Sequence, residues 1–205
     1  MTHLSVFVYK THEMTATDAI FDLESLRAAV RAGRSFRYRH FWGHRARPDG
    51  RLTDSVFSQF WPCDFTIDGT RYVFAEQWMM SGKARLFGDE EALAKILVAT
   101  APQECKRLGR TVRGFDDRAW AAHRFDLVTR GNVAKFGQDP ALREYLCGTG
   151  EDILVEASPM DRNWGIGMAA THPDANDPLK WRGRNLLGFA LVRTRAILRG
   201  EAAAP

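Results

Sequence analysis

The sequence predicts a single α+β domain that is mainly helical and carries a small, partly antiparallel sheet. Segments with helical periodicity and capping residues outnumber the strand patterns, and those strands are short. The 205 residues suffice for one substantial domain, and no internal stretch has the composition of a linker. Hydrophobic residues make up 45% and charged residues 26% of the chain, which is the balance of an ordinary globular protein.

Residues 1–35 are expected to supply an N-terminal strand and helix that belong to the same fold. The strand is predicted at 4–9 and the helix at 23–32, where Gly33 would end it. The segment 36–42 alternates arginine or histidine with aromatic residues, which is the pattern of a half-buried strand.

A hairpin is the clearest strand signal in the chain. Asp68-Gly69 lies in the middle of 65–73 and supplies the positive φ angles of a tight turn between alternating strands. A helix that carries Glu76 is predicted to follow the hairpin directly.

The rest of the chain is predicted to be mainly helical, because capping residues mark successive helix starts. The expected elements are a helix at 90–98 capped by Asp89, one from a capping box at 100–103 through Leu108 that Gly109 would end, a longer one from a cap at Asp117 to about Arg130, one opened by Asp139-Pro140 and closed near Gly148, a buried strand at 153–157, and a terminal amphipathic helix at 186–199. Residues 200–205 are expected to form a disordered tail.

Composition argues against several classes of protein. No apolar run approaches the ~18 residues of a membrane span, and no signal-peptide pattern opens the chain. Cys63, Cys105 and Cys147 are odd in number and widely spaced, which argues against a disulfide framework and a zinc site. A cytoplasmic protein without metal, cofactor or membrane partner is therefore expected.

Basic residues are concentrated in one stretch of a chain whose net charge is +4. The stretch contains Arg31, Arg34, Arg37, Arg39, Arg45, Arg47 and Arg51, answered only by Asp49. Arginine can grip a phosphate with two hydrogen bonds, so the stretch favours an anionic partner such as a phosphorylated small molecule, a dinucleotide or a nucleic acid. A solvated basic surface explains it equally well.

Glu76 and Lys83 are the most informative pair of residues. They lie seven positions apart, so a helix places them on one face, beside the mostly apolar Met79, Met80 and Ala84. An unpaired buried charge is costly, so such a face needs a reason. The two side chains either pair with other charges at the edge of a core or face a substrate in a cleft.

The loop after the strand at 153–157 is a second candidate site, because strand-terminal loops often carry chemistry. Asp161 offers a carboxylate, Trp164 a stacking surface, and Gly165-Ile166-Gly167 a backbone that a ligand can approach closely. A tight turn in which Asp161 accepts nearby amides is the structural alternative.

Four further residues are weaker candidates. Phe60 and Trp61 either stack on a base or fill the core, and Trp120 on the inner face of a helix is usually core. Asn185 either contacts a ligand or caps the last helix.

The run Glu76-Gln77-Trp78-Met79-Met80, with Lys83-Ala84 after it, resembles the central motif of the NADAR family of N-glycosidases. Similar segments occur in the same order on both sides of it, at 41–44, 57–62, 106–110, 135–140, 146–150, 154–161, 164–167 and 183–188. The resemblance covers roughly 39–198, which assigns 36–199 to a NADAR-like domain.

The resemblance implies an activity and roles for the candidate residues. Members cleave phosphoribosylated aminopyrimidines of the riboflavin pathway, and others remove ADP-ribose from guanine bases. By this likeness Glu76, Asp161 and Lys83 would be catalytic, with Lys83 forming a Schiff base or holding a phosphate. Substrate contacts are expected from Arg39, Phe60, Trp61, Trp120, Trp164, Gly165, Ile166, Gly167 and Asn185. The substrate would be an ADP-ribosyl or phosphoribosyl compound, including an ADP-ribosylated nucleic acid.

Two departures from the family pattern bear on the substrate. Gln77 stands where histidine is commoner and Gln59 where asparagine is commoner, so altered ligand contacts are expected. The crowded arginines favour the more anionic ADP-ribosyl substrate. A bulky replacement of Gly167 is expected to weaken product affinity with little loss of stability.

Two other classes of function remain open. A non-catalytic module that binds ADP-ribose or a nucleotide would keep the aromatic and glycine contacts without needing the carboxylates. A nucleic-acid binder is supported by the basic stretch alone.

Overall fold

The computed structural model describes residues 20–205, so the strand expected at 4–9 lies outside the described residues. The elements are α1 (Leu23–Arg31), β1 (Tyr38–Phe41), a 3₁₀ turn (Asp54–Phe57), β2 (Phe65–Ile67), β3 (Thr70–Tyr72), α2 (Ala75–Leu86), α3 (Glu90–Val98), α4 (Pro102–Arg110), α5 (Asp117–Gln138), α6 (Pro140–Cys147), β4 (Ile153–Glu156) and α7 (Leu186–Leu198).

The strands form two separate pairs, which confirms the predicted α+β class with a partly antiparallel sheet. β1 and β4 are parallel, with Tyr38 opposite Ile153 and Phe41 opposite Glu156. A parallel pair requires a crossover connection, and here most of the helices lie between the two strands. The pairing places Glu156, the last residue of β4, beside the buried Phe41.

β2 and β3 form the predicted hairpin. Asp68 has φ 50° and Gly69 has φ 76°, the positive angles that the Asp-Gly turn requires. Phe65 and Tyr72 face each other on its buried side with stacked rings 5.6 Å apart. The hairpin leads directly into α2.

α2 is the central helix, with nine of its twelve residues buried. Its neighbours approach closely because glycines lie at the crossings: a β-carbon at Gly109 of α4 would overlap Met80, and one at Gly131 of α5 would overlap the Trp78 indole. The expectation that Gly109 ends α4 is therefore wrong. Gly109 is a buried helical residue, and α4 continues to Arg110.

Two other expectations about helix ends are corrected. The capping box at 100–103 does not form, since Ala101 is the N-cap of α4 without a side-chain hydrogen bond and Pro102 begins the helix. α5 is capped by Asp116, whose side chain accepts the Ala119 N–H at 2.6 Å, and it runs two turns beyond Arg130. Gly131 does not break this helix because its packing against Trp78 holds it in place.

Lys135 of α5 is fully buried and fixes the segment that enters the site. Its Nζ donates to the carbonyl oxygens of Val56 at 2.6 Å and Ser58 at 2.9 Å. Burial lowers its pKa to about 8. The turn that bears Ser58, Gln59 and Phe60 is thus tied to the core.

Two kinds of feature are absent from residues 20–205: a membrane-spanning helix and a cluster of metal-binding side chains. No helix within 20–205 is long and apolar enough to cross a membrane. Across the same residues, no group of histidine, cysteine and acidic side chains is arranged to hold a metal ion. Cys63, Cys105 and Cys147 are free thiols.

Candidate active site

A cleft of about 280 Å³ opens where α2, α4 and α5 meet the turn at 58–60 and the loop after β4. Its volume lies just below the ~300–1,000 Å³ typical of small-molecule sites. It is lined by Ser58, Gln59, Phe60, Glu76, Met79, Met80, Lys83, Lys106, Gly109, Arg110, Trp120, Glu156, Asp161, Asn163, Trp164 and Leu187. Six of the predicted site residues are therefore brought together: Phe60, Glu76, Lys83, Trp120, Asp161 and Trp164.

Glu76 lies in the first turn of α2 and is only 3% exposed. Its backbone N–H donates to the Gln59 carbonyl oxygen at 2.9 Å, which joins the start of the helix to the turn at 58–60. Burial raises its pKa to about 7, a shift that Lys106 opposes and Asp161 reinforces. At neutral pH this carboxyl can therefore either give or take a proton.

Glu156 is the main site residue that sequence analysis missed. Burial raises its pKa to about 8, Asp161 raises it further and Lys106 opposes the shift. The sequence pattern predicts Glu156 only as part of the buried strand at 153–157. The feature of the sequence that could have identified Glu156 is its position at the end of an otherwise apolar strand.

The two buried carboxyl groups share an unusual feature. Among residues 20–205, Glu76 Oε1 and Glu156 Oε2 are the two buried side-chain polar atoms that lack a hydrogen-bond partner. Buried polar atoms are nearly always paired, and exceptions are concentrated at functional sites. Both residues line the cleft, so both are available to a ligand.

The sequence left open whether Asp161 belongs to a site or to a tight turn, and in the structure it does both. Its Oδ1 accepts the N–H groups of Asn163 and Trp164, both at 2.8 Å, which makes the tight turn. Its side chain also lines the cleft, and its charge raises the pKa of both Glu76 and Glu156. The turn holds the carboxylate and the Trp164 ring in fixed positions.

Lys83 lies on the same side of α2 as Glu76, as the spacing predicted. Its Nζ donates to the Gly109 carbonyl oxygen at 2.7 Å and lies 3.9 Å from the centre of the Phe115 ring and 6.0 Å from that of Trp120. Burial lowers its pKa, and Asp117 opposes the shift. The amine is thus held at the wall of the cleft, where burial disfavours its charge while the Phe115 ring and the Gly109 carbonyl oxygen favour it.

Lys106 and Arg110 of α4 are cations of the cleft that sequence analysis did not single out. They lie one helical turn apart, and both lower the pKa of Glu76. Lys106 Nζ also lies 5.7 Å from the centre of the Phe60 ring. Their positive charge partly balances the three carboxyl groups.

Six predicted contact residues lie outside the lining of the cleft, and Arg39, Trp61 and Asn185 are three of them. Arg39 donates to Asp54 at 2.7 Å and to the Tyr145 hydroxyl at 3.1 Å, and Trp61 packs against the main core. Asn185 is buried at the start of α7 with φ 54°; it donates to the Leu154 carbonyl oxygen and accepts the Glu156 N–H, both at 2.9 Å. It therefore fixes the end of β4 and the backbone of Glu156.

Gly165, Ile166 and Gly167 pack within the loop and lie outside the lining of the cleft, so their expected ligand contacts stay a prediction. A β-carbon at Gly165 would lie 2.7 Å from the Glu156 carbonyl oxygen, which accepts the Ile166 N–H at 2.9 Å. The Gly167 N–H donates to the Asp161 carbonyl oxygen at 3.2 Å. The small residues let the loop lie against β4 and so position Asp161.

Gly167→Ala is expected to destabilise the protein, which corrects the expectation of little stability loss. Gly167 has φ 69°, and an added β-carbon would lie 3.1 Å from Arg162 Cγ and Arg182 Cβ. Left-handed strain alone costs an alanine about 1–2 kcal/mol, and crowding adds to it. The matched control is Gly33→Ala, where φ is 85° and nothing lies within 4 Å. Urea unfolding should show the larger loss at Gly167, and equal losses would contradict this account.

Gln77 and Gln59, which depart from the family pattern, lie in different parts of the fold. Gln77 does not line the cleft: its Nε2 donates to the carbonyl oxygens of Ile96 and Leu97, both at 3.1 Å, so it ties α2 to the end of α3. The expected change in ligand contacts is therefore wrong for Gln77. Gln59 does line the cleft and donates to Asn132 Oδ1 at 3.1 Å.

Four of the seven crowded arginines form ion pairs away from the cleft lining. Arg47 and Arg51 pair with Asp49, Arg39 with Asp54, and Arg37 with Asp152. Besides Asp49 within the stretch, the fold brings in two carboxylates from outside it, Asp54 and Asp152. None of the seven arginines lines the cleft.

The stability of the protein is expected to fall as the pH rises from ~5 to ~8. Glu76 and Glu156 have pKa values of about 7 and about 8 in the fold, against 4.5 ordinarily. Between these values the folded state binds more protons than the unfolded one, so ionisation favours unfolding. One pKa unit corresponds to about 1.4 kcal/mol, so the loss should reach several kcal/mol.

Urea unfolding at the two pH values measures this loss. Glu156→Gln cannot ionise and should lose less stability than the wild type. The control Glu144→Gln changes an exposed residue of α6 and should behave like the wild type. A loss in Glu156→Gln that equals that of the wild type would contradict the assignment.

Comparison with known proteins places the chain. The family model described as NADAR domain matches residues 40–199. An N-glycosidase of Acanthamoeba polyphaga mimivirus is 44% identical over 145 residues, which cover 68% of this chain and 85% of that protein. A riboflavin biosynthesis protein of Vibrio vulnificus is 29% identical over 145 residues, which cover 71% of this chain and 36% of that protein.

The fold has a solved counterpart as well. The NMR structure of the Escherichia coli protein YbiA superposes with a TM-score of 0.64 at 23% identity, over 82% of this chain and 88% of that one. The motif around Glu76 and Lys83, the cleft it lines and the family match over most of the sequence agree. The chain belongs to the NADAR family.

Proposed function

We propose that the protein is an N-glycosidase that hydrolyses the bond between a ribose C1 and the nitrogen of a base. The observation that supports this most strongly is the pair of buried, unpartnered carboxyl groups of Glu76 and Glu156 beside the Asp161 carboxylate. Several relatives are named N-glycosidases, which agrees with this reaction.

The reaction needs both negative charge and a proton donor. Breaking the C1–N bond builds positive charge on C1 and the ring oxygen, while negative charge grows on the departing base. With a pKa of about 8, Glu156 keeps its proton at neutral pH and can give it to the base. Glu76, with a pKa of about 7, can take a proton from water, and Asp161 places negative charge near the cation.

Lys83 offers a covalent variant of the same reaction. A ribosylamine can open to an imine at C1, and a neutral lysine can exchange with it to give a Schiff base. The lowered pKa of Lys83 favours the neutral amine. Binding of a phosphate as a point charge is its alternative role.

The aromatic walls suit a base and a sugar. Phe60, Trp120 and Trp164 all line the cleft, and aromatic faces stack on bases of any sequence. A cleft of about 280 Å³ accommodates a ribosyl group and part of a base, so the remainder of a larger substrate would extend outside it.

Two substrate classes fit this site. They are an ADP-ribosylated guanine base, free or in a nucleic acid, and a phosphoribosylated aminopyrimidine of the riboflavin pathway. The crowded arginines do not favour the first, because they lie outside the cleft lining and four of them pair with aspartates. The names of relatives from riboflavin biosynthesis support the second.

A non-catalytic ADP-ribose module is the second candidate, favoured by the aromatic walls. It has no use for two buried carboxyl groups that lack partners, since these cost stability. The N-glycosidase accounts for both features.

Base release from defined substrates tests the proposal. Purified protein is incubated with an ADP-ribosylated guanine oligonucleotide and, separately, with phosphoribosylaminouracil, and the free base is followed by chromatography. One of the two should release its base in a protein-dependent manner. Release from neither, with binding retained, would assign the cleft to a binding module.

A further inference from the structure

The side-chain amide of Gln59 lies in the wall of the cleft and is held from behind by a hydrogen bond. Gln59 lines the cleft and is otherwise buried. Its Nε2 donates to Oδ1 of Asn132 at 3.1 Å. Asn132 is a fully buried residue of α5, and its own Nδ2 donates to the Val128 carbonyl oxygen at 2.9 Å.

These two hydrogen bonds decide which end of the Gln59 amide is left for a ligand. A backbone carbonyl oxygen can only accept, so Asn132 must turn its nitrogen to Val128 and its oxygen to Gln59. That oxygen can also only accept, so Gln59 must turn its nitrogen to Asn132. The Gln59 Oε1 therefore lies on the side of the amide that faces away from the buried asparagine.

The Gln59 Oε1 is open to a ligand in the cleft. Within residues 20–205 this oxygen accepts no hydrogen bond, since the bond to Asn132 uses Nε2. It is nevertheless not one of the fully buried side-chain atoms without a partner, which are Glu76 Oε1 and Glu156 Oε2. An oxygen that is neither paired nor fully buried is accessible, and the cleft is the space that Gln59 lines.

An aromatic ring lies next to this fixed acceptor. Phe60 follows Gln59 in the chain, lines the same cleft and packs edge-to-face against His44 with ring centres 5.4 Å apart. The Gln59 carbonyl oxygen accepts the Glu76 N–H, so both residues lie beside the start of α2. A stacking ring together with a hydrogen-bonding group at its side is how proteins recognise a base taken out of its stack.

We propose that Gln59 determines which bases the cleft accepts, because its Oε1 accepts a hydrogen bond from an N–H group of a base that stacks on Phe60. That the donor belongs to a base rests on the proposed function; the orientation of the amide does not. Guanines and aminopyrimidines both carry such N–H groups. A base without one would leave the oxygen unpaired and should bind more weakly. Asn132 is a positioning residue, since it holds the amide from within the core.

Calorimetry with free bases tests the assignment without any need for turnover. The probes are 5,6-diaminouracil and 9-methylguanine, which carry N–H groups, 1,3-dimethyluracil, which carries none, and ribose 5-phosphate for the sugar. Gln59→Met keeps the length of the side chain and removes the acceptor. It should weaken each N–H base that binds the wild type about 10-fold, which equals about 1.4 kcal/mol. Binding of 1,3-dimethyluracil and ribose 5-phosphate should stay unchanged.

A double variant separates recognition from stability. Gln59→Met leaves the buried Asn132 Oδ1 without a partner, so the melting temperature should fall. Adding Asn132→Leu replaces both partners by apolar groups of similar size, so much of the lost melting temperature should return. The affinity for the N–H bases should not return, because the acceptor is still missing. Asn132→Leu alone keeps the acceptor without its anchor and should weaken these bases less than Gln59→Met does.

The matched control is Gln138→Met. It makes the same chemical change at an exposed glutamine of α5 that lies outside the cleft lining and bonds the backbone of Thr66. All four probes should bind this variant as they bind the wild type.

The remaining outcomes are distinct. Undiminished binding of the N–H bases to Gln59→Met, recovery of their affinity in the double variant, or no binding of either base to the wild type would overturn the inference. An equal weakening of ribose 5-phosphate would also overturn it, because the acceptor would then serve the sugar. Base binding that depends on Gln59 in a protein that releases no base would uphold the inference and reject the glycosidase.

Discussion

Glu76→Gln is expected to reduce turnover by roughly 10²-fold or more while the protein stays folded. The amide keeps the shape of the side chain but cannot take a proton from water or stabilise a cation at C1. Because Glu76 is buried and its Oε1 has no partner, the same change should raise the free energy of unfolding at pH ~8, where the wild-type carboxyl is ionised. Loss of activity and gain of stability should therefore occur together.

Initial rates and urea unfolding on the same preparations measure the two effects. Glu104→Gln is the matched control, since Glu104 is an exposed glutamate of α4 outside the cleft lining. An unaltered rate in a correctly folded Glu76→Gln protein would reassign Glu76 to structure.

Lys83→Arg should be nearly inactive if Lys83 forms a Schiff base, because a guanidinium group keeps the charge but cannot form the imine. Borohydride added to the wild type during turnover should reduce the imine and leave the sugar attached at Lys83, visible by mass spectrometry of the peptides. The wall position of Lys83 and its lowered pKa favour this role.

The alternative role predicts the opposite pair of results. If Lys83 holds a phosphate, no adduct forms and arginine restores much of the activity. Lys95→Arg serves as the control, because Lys95 is exposed and pairs with Glu91 at 2.7 Å. Absence of the adduct together with an active Lys83→Arg would leave Glu76, Asp161 and Glu156 as a carboxylate-based site.

Local signals predicted most of the fold. The Asp68-Gly69 turn and the caps at Asp89 and Asp139 depend on backbone conformation and on side chains within three residues, and all three are observed. The wrongly predicted ends of α4 and α5, which lie next to Gly109 and Gly131, have a different origin. Each glycine is needed where another helix crosses, and that partner is distant in sequence.

In the candidate site, too, local sequence patterns predicted some residues, while contacts between distant segments determine the others. Helical spacing was enough to place Glu76 and Lys83 on one cleft because both lie on α2. Glu156 was missed because its importance arises from burial by elements distant in the chain, which raises its pKa. The glycine pattern of the loop did not show what each glycine packs against: an added β-carbon at Gly165 would meet the Glu156 carbonyl oxygen of β4, and one at Gly167 would meet Arg162 and Arg182.

The most direct test of the central claim is a single-turnover reaction with the enzyme in excess over the substrate. The substrate is the one of the two compounds that releases its base in the assay above; if neither compound does, both are tested. Bound and free substrate are separated, and free base and free sugar are quantified in the same sample. The account predicts that bound substrate is converted to one equivalent each of base and sugar. Substrate that binds stoichiometrically and is recovered intact would contradict it and would make the cleft a binding site without glycosidase chemistry.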